Sequence, residues 1–261
     1  QLVADGVLAA LLALLASRPG SLLTLLGDDW AAHPERQAWL ALLQQDHGVR
    51  IGLLGPGTAL ADAGLRSAVA RISRLEHLTI TVEARPDTTA GRACHDAVVG
   101  QTGAASLLDA AIRPLVVAGV PLAIASVVVT DSLGQLPELI TWCADMGLKL
   151  ALSGSVPDRC DHPAWQPAQH IARADKVLAA LTAAGPLAEQ VVTRVAGLPL
   201  CAIPDHLHNR TVLTWPSPQA QAWLQPPIGP CARCSAVARC SGVPSAYLTA
   251  HEAVGLRALA R

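Results

Sequence analysis

The chain has 261 residues, of which 51% are apolar and 15% are charged, and its formal net charge is −1. This composition is typical of a globular protein with a large core and excludes a disordered chain. The chain has no Phe, one Tyr and no block of Lys or Arg. We therefore expect neither an aromatic platform nor a basic surface for nucleic acids.

Seven cysteines are spread along the chain, and this odd number argues against a small secreted disulfide framework. The most apolar early run, residues 7–16, is too short to span a bilayer. No basic segment precedes this run, so it is a poor signal peptide. We therefore expect a cytoplasmic protein with no membrane-spanning segment.

Apolar runs and helix-type periodicities alternate along the first part of the chain. The patterns predict, in chain order, a helix over 2–17, a strand over 21–26, a helix over 34–47, a strand over 49–54, a helix over 60–74, a strand over 77–82, a polar stretch over 83–103, a helix over 104–118, a strand over 121–129, a helix over 133–146 and a strand over 148–152. Later segments are less regular: a loop over 157–167, a helix over 168–184, a helix or a strand over 187–195, a strand over 211–215 and a closing helix over 247–259.

The predicted strands begin near residues 21, 49, 77, 121 and 149, and three of the four gaps are 28 residues, the size of one βα unit. Apolar strands that alternate with amphipathic helices predict an α/β fold, with a parallel sheet covered by helices. Right-handed crossovers allow an open doubly wound sheet or a closed or partial (β/α) barrel. The spacing alone does not decide between these architectures.

Three cysteines, Cys231, Cys234 and Cys240, lie in a C-terminal stretch rich in Gly and Pro, with gaps of two and five residues. Turns of this kind bring thiolates to one point, and thiolates are the ligands of both zinc and iron–sulfur clusters. The spacing by itself does not separate a structural zinc site from a cluster, and a disulfide is a weaker alternative.

A closed tetrahedral site needs a fourth ligand. Cys201, in the Gly- and Pro-containing stretch 197–204, is the predicted fourth thiolate. His206 and His208 are alternative ligands. The simpler interpretation of Cys201 is a buried apolar cysteine.

Other residues of chemical interest have simple interpretations. The stretch 94–96 reads Cys-His-Asp, but neighbours in sequence do not face one another, so loop polarity is favoured over a nucleophilic site. The stretch 160–162, Cys-Asp-His, is interpreted as a solvated loop, with metal contact as the alternative. Cys143 is expected in the core. Asp28 and Asp29 have the residue type of helix caps.

The order of these features resembles the radical S-adenosylmethionine (AdoMet) enzymes that have a C-terminal auxiliary-cluster domain of the twitch/SPASM type. The late stretch 231–247, C-x2-C-x5-C-x-Gly-Val-Pro-x-x-Tyr, is the most specific match. The stretch 95–100 resembles the family's His-Asp-x-x-x-Gly after the fourth strand. Cys201 together with the three late cysteines is similar to the ligand set of the auxiliary cluster.

Residues 24–35 resemble the family's Gly-Gly-Glu-Pro turn and the His-Pro that follows it. Gly27 matches the first glycine, and Asp29 stands where the family has Glu, whereas Asp28 and Trp30 depart from the pattern. In the family this turn meets the methionine amino group of AdoMet. The resemblance therefore implies that Gly27 and Asp29 belong to an AdoMet site.

One defining feature of the family is missing from these residues. An N-terminal C-x3-C-x2-C loop holds the [4Fe-4S] cluster that binds AdoMet, and no such motif occurs in the 261 residues. In the family the loop would lie shortly before the helix with which this chain begins. Two explanations stay open. The loop precedes Gln1, in line with the absence of an initial Met, or this relative has lost it, in line with the altered turn.

The resemblance implies a partial (β/α) TIM-like barrel over 1–196 and a Cys-rich auxiliary-cluster domain over 197–261. It implies a radical AdoMet protein with an auxiliary [4Fe-4S] cluster that modifies a peptide or a small molecule by radical chemistry. A partner protein or an electron donor is then expected. The alternatives are a non-catalytic peptide-binding or assembly subunit, and an α/β protein that is stabilised by zinc in place of the cluster.

Overall fold

Strands and helices alternate along the chain. The structure, a computed structural model, describes residues 5–18, 20–27, 29–55, 57–154, 170–212, 224–225, 229–240 and 242–259. The strands are β1 Leu22–Leu26, β2 Arg50–Gly55, β3 Leu75–Thr81, β4 Leu122–Val128, β5 Lys149–Gly154, β6 Val192–Ala196, β7 Thr211–Val212, β8 Leu224–Gln225 and β9 Val243–Pro244. The helices are α1 Asp5–Ala16, α2 Asp29–Ala32, α3 Arg36–Leu43, α4 Ala63–Ala70, α5 Thr89–Val99, α6 Ala104–Val117, α7 Leu136–Asp145, α8 Ala174–Ala183, α9 Pro186–Val191 and α10 Ser245–His251.

The strands of the main sheet are hydrogen-bonded in chain order, from β1 to β7, and β8 and β9 form a separate antiparallel pair. Strands β1, β2 and β3 pair in parallel, and so do β5, β6 and β7. Parallel strands that follow one another in chain order, with helices between them, are the pattern of a (β/α) barrel. The predicted fold class, an α/β partial barrel, is confirmed.

The chain forms two compact units, and the first comprises residues 1–82 and 86–124. Its strand β2 is almost entirely buried, because parallel strands are covered on both faces. Side-chain caps begin two of its helices: Asp62 accepts a hydrogen bond from the N–H of Leu65 at 2.7 Å, and Thr88 accepts one from that of Gly91 at 3.1 Å.

The second unit comprises residues 83–85 and 125–261. Strand β5 alternates buried and more exposed residues, and Leu150 and Leu152 lie in the core with Val177 and Leu181 of α8. The cysteine-rich segment belongs to this unit. The boundary at residue 197 between a barrel and a cysteine-rich domain stays a prediction.

Several elements differ from the sequence-based expectation. The polar stretch 83–103 contains helix α5, whose few apolar residues gave a weak periodicity. The segment 187–195, predicted as a helix or a strand, contains one of each, since helix α9 leads directly into strand β6. The closing helix ends at His251, because Glu252 has a positive φ of 53°. Residues 157–167 and 213–215 lie outside the described residues.

The sequence predicts no membrane-spanning segment. Among the helices that the structure describes, none is long and apolar enough to cross a membrane.

Candidate functional site

The carboxyl ends of β1 and β2 meet at one edge of the first unit. Gly27 follows β1 with a φ of 100°, and its N–H donates a hydrogen bond to the carbonyl oxygen of Leu54 at 3.0 Å. A Cβ atom on Gly55 would lie 2.7 Å from the carbonyl oxygen of Gly27 and 2.7 Å from Nε1 of Trp30. Only a glycine therefore fits at the end of β2, against this backbone and this indole.

Trp30 lies in α2 at the same edge, and only 5% of its surface is exposed. Its indole Nε1 is buried and has no hydrogen-bond partner among the described residues. A buried donor without an acceptor costs about 1–3 kcal/mol, so the indole N–H is a ready donor for an acceptor atom that a ligand brings to it. The orphaned donor at this edge fits a ligand that carries an acceptor atom.

The sequence pointed to this edge through Gly27 and Asp29. The backbone of Asp29 begins α2, and nothing is described of its side chain; Asp28 lies outside the described residues. In the sequence, Trp30 is only a departure from the family's Gly-Gly-Glu-Pro pattern. Its orphaned N–H depends on the packing against Gly55, which no local pattern reveals.

His33 follows α2 and has a structural role. Its ring stacks on that of Trp39 with centroids 3.9 Å apart, and 8% of the residue is exposed. Its Nδ1 accepts a hydrogen bond from the N–H of Glu35 at 3.2 Å. These contacts fix the turn between α2 and α3.

A buried carboxyl lies in the second unit, just beyond β3. Glu83 is 5% exposed, and its Oε2 accepts hydrogen bonds from the hydroxyl of Ser126 at 3.1 Å and from the N–H of Val127 at 2.9 Å. Burial raises the pKa of Glu83 to about 7, although the two hydrogen bonds oppose the shift. This carboxyl can therefore hold or release a proton near neutral pH. Sequence reasoning missed it; the available signal was an acid directly after the apolar strand 77–82.

The Cys-His-Asp stretch does not form a nucleophilic site. Asp96 accepts hydrogen bonds from the N–H groups of Gly103 at 2.5 Å and Ala105 at 2.8 Å, so it caps the start of α6. These bonds hold the pKa of Asp96 below its usual range. His95 is buried, and desolvation lowers its pKa. The preference for a simple role is supported, with the difference that the stretch lies on a helix.

The predicted metal ligands lie in the second unit, in short 3-10 turns and next to them. Cys201 is 6% exposed and lies in the turn Leu200–Ala202. Cys231 lies in the turn Gly229–Arg233, Cys234 follows it, and Cys240 follows the turn Val237–Arg239. None of the six described cysteines forms a disulfide.

Backbone N–H groups point at these sulfur atoms. The N–H groups of Leu200 and Gly242 donate to Sγ of Cys240 at 3.4 and 3.5 Å. The N–H of Leu259 donates to Sγ of Cys234 at 3.3 Å. Donors of this kind favour the thiolate over the thiol, and hydrogen bonds to sulfur are among the features that tune iron–sulfur clusters.

Cys201 lies within electrostatic range of two of the other cysteines. Burial raises the pKa of its thiol, a hydrogen bond from the backbone N–H of Arg257 opposes this, and Cys240 and Cys231 raise it further. The donor set, four thiols of which three have backbone N–H groups directed at them, fits a cluster or zinc. As placed among the described residues, no three of their His, Cys, Asp or Glu side chains already form a group that could hold a metal ion.

The alternative ligands fit less well. Nε2 of His208 lies 3.1 Å from the carbonyl oxygen of Leu200 and 3.0 Å from that of Ile203, so it is the protonated nitrogen and donates to the backbone. His206 is exposed. Cys143 is buried in α7, and burial raises the pKa of its thiol to about 12, which confirms its place in the core. Cys160 to His162 lie outside the described residues.

The chain resembles known proteins at the level of three-dimensional structure. No family model and no curated protein matches the chain. Solved structures of native anSMEcpe match it: with bound AdoMet and Cp18Cys peptide, with AdoMet and Kp18Cys peptide, and with AdoMet. The TM-scores are 0.52, 0.52 and 0.51, each at 12% identity.

These matches cover 74% of this chain and 55–56% of anSMEcpe, so the chain spans little more than half the length of that protein. At 12% identity the likeness shows the fold. The chain has the α/β fold of a protein that binds AdoMet and a peptide in its solved structures.

Proposed function

We propose that this chain is part of a radical AdoMet protein that acts on a peptide and carries an auxiliary [4Fe-4S] cluster on Cys201, Cys231, Cys234 and Cys240. The observation that carries the proposal is the set of backbone N–H groups directed at three of these four sulfur atoms in the second unit. The fold likeness to anSMEcpe, solved with AdoMet and a peptide, supports the same assignment.

The four thiolates would hold the cluster. Ligation couples to folding, since thiolates gain their full stabilisation only from the metal. The turn that carries Cys201 rests on a formed core, with Cys201 between buried Leu200 and Ala202. When bound, AdoMet and the iron–sulfur centres supply the radical chemistry, while the chain binds, orients and excludes water.

The edge formed by Gly27, Trp30 and Gly55 is the proposed AdoMet contact. AdoMet carries carboxylate, hydroxyl and ring-nitrogen acceptors, and the orphaned Nε1 of Trp30 would donate to one of them. The missing side chain of Gly55 is what lets the backbone of Gly27 and the indole of Trp30 come together at this edge.

Equilibrium dialysis of AdoMet against the full natural protein, reconstituted without oxygen, tests this contact. Trp30→Phe removes the donor and keeps the ring, and we expect about tenfold weaker binding, in line with the loss of one hydrogen bond of about 1.4 kcal/mol. Trp142→Phe is the matched control, because Nε1 of Trp142 is also buried without a described partner but lies in α7. Equal affinity of Trp30→Phe and wild type would remove Trp30 from the site.

A second candidate function is a non-catalytic, peptide-binding relative. The observation that favours it is the indole of Trp30, which packs against Gly55 where the family's turn has no such ring. In this case the wild-type protein binds its peptide but has no measurable affinity for AdoMet. The same dialysis experiment therefore separates the two functions.

A further inference from the structure

A polar groove lies in the second unit beside the cysteine-rich turns. Its cavity volume is about 500 Å³, and its lining includes Asp205, His208, Ser235, Arg239, Arg257 and Leu259. Ligand pockets in proteins commonly measure about 300–1,000 Å³, so the groove is large enough for a small ligand or a short peptide segment.

Two arginines dominate the charge of this groove. Arg239 and Arg257 are exposed, and neither forms an ion pair with a carboxylate of the described residues. The lining also contains Asp205, whose side chain is 88% exposed and lies 3.8 Å from Nε2 of His208. Apart from His208, the lining carries two positive charges and one negative charge.

The other polar groups of the groove are occupied by contacts within the protein. The N–H and hydroxyl of Ser235 donate to the carbonyl oxygen of Leu259 at 3.1 and 2.9 Å. Nε2 of His208 donates to two backbone carbonyls. The guanidinium groups of Arg239 and Arg257 are therefore the donors that a ligand can use.

Guanidinium groups favour a particular ligand chemistry. An arginine presents a planar fork of N–H donors that matches a carboxylate in a bidentate geometry. Asp205 disfavours two negative charges concentrated on one group, such as a phosphate monoester, more than it disfavours separate carboxylates spread along a peptide, because repulsion weakens with distance. The groove thus favours separate, singly charged carboxylates.

The walls of the groove are also continuous with the cysteine turns. Ser235 follows Cys234, and Arg239 precedes Cys240. The N–H of Arg257 donates to the sulfur of Cys201, so the same residue contributes its backbone to a thiol and its side chain to the groove.

We propose that the groove binds an acidic peptide segment through carboxylates held by Arg239 and Arg257, beside the cysteine-rich turns. The groove and its charge follow from the positions of its lining residues alone. Only the further statement, that the bound peptide lies next to an auxiliary cluster, rests on the proposed function.

The test is fluorescence anisotropy with a labelled peptide of sequence Glu-Glu-Gly-Glu-Glu-Gly and its Gln-for-Glu counterpart. We expect the acidic peptide to bind. The Gln peptide should bind at least about tenfold more weakly, because replacing Glu by Gln removes the charge-assisted contacts with the arginines. The double variant Arg239→Gln and Arg257→Gln should lose binding to a similar extent. Both substitutions keep the backbone N–H groups. Arg233→Gln, an exposed arginine of the turn Gly229–Arg233 outside the groove lining, is the matched control and should bind as wild type.

Two outcomes would overturn the inference: equal binding of the acidic and Gln peptides, or an equal loss in Arg233→Gln, which would mean diffuse charge attraction. Competition by inorganic phosphate that is stronger than by acetate at equal ionic strength would overturn the carboxylate assignment. Iron content is measured on the same samples. A protein that holds its cluster but does not prefer the acidic peptide refutes the groove alone, and one that binds the peptide without iron refutes only the proposed function.

Discussion

The phenolic oxygen of Tyr247 accepts a hydrogen bond from the backbone N–H of Ala174 at 3.1 Å. Ala174 is the first residue of α8, and the first N–H groups of a helix have no partner within the helix. The same oxygen donates to the carbonyl oxygen of Val254 at 2.6 Å. The single Tyr of the chain thus joins the start of α8 to the segment after α10, next to the cysteine turns.

Replacing Tyr247 by Phe should lower the free energy of unfolding by about 1–3 kcal/mol, because a buried N–H and a carbonyl lose their shared partner. Urea denaturation measures this. Thr182→Ala removes an exposed hydroxyl bond within α8, at 2.7 Å to the carbonyl oxygen of Leu178, and should change stability by less than about 0.5 kcal/mol. An equal effect of both variants would contradict the bridging role of Tyr247.

Glu83 predicts a pH dependence of stability with a definite sign. Its pKa is about 7 in the folded protein against 4.5 for the ordinary side chain, so the folded state keeps a proton that the unfolded state has released. Stability is therefore fully present below pH 4.5 and falls as the pH rises toward 7, by about 3 kcal/mol for this shift.

Glu83→Gln removes this titration and keeps the shape of the side chain. We expect the stability of the variant relative to wild type to rise by about 3 kcal/mol between pH 4.5 and 7, measured by urea denaturation at several pH values. Thr182→Ala, which changes no titratable group, is the control and should give a difference that does not change with pH. A flat difference for Glu83→Gln would show that the pKa of Glu83 is the same in the folded and unfolded states.

Gly154, at the end of β5, predicts a steric effect. A Cβ atom there would collide with the carbonyl oxygen of Gly197 and lie 2.8 Å from its carbonyl carbon, and backbone atoms cannot rotate away. Gly154→Ala should therefore destabilise the protein by about 1–3 kcal/mol or more. Gly134→Ala, which has nothing within 4 Å of the new atom, should be neutral or slightly stabilising in thermal denaturation. Two neutral variants would contradict the close approach of Gly154 and Gly197.

Strands β1, β2, β4 and β5 could be predicted from the sequence because each is a short, almost continuous apolar run between turn residues. β2, with five of its six residues buried or half-buried, is the clearest example. The sequence pattern does not predict helix α5, because the buried residues of this helix are Gly91 and His95 rather than large apolar side chains.

Part of the candidate site could likewise be predicted from local sequence, and the rest could not. The cysteine turns have a local pattern, since three of the proposed ligands lie within ten residues. Glu83 and Ser126 are 43 positions apart and meet only because consecutive strands adjoin in the sheet. The orphaned N–H of Trp30 depends on the missing side chain of Gly55, a relationship that no motif describes.

The most direct test of the account is the iron, sulfide and zinc content of the protein, purified and reconstituted without oxygen, together with its visible spectrum. We expect a brown protein with about four irons and four sulfides assigned to the four-cysteine site, as one [4Fe-4S] centre requires. Cys231→Ala should lose them, and Cys94→Ala, in helix α5 of the first unit, should keep them. A colourless protein with one tightly bound zinc, or equal iron in both variants, would contradict the cluster assignment.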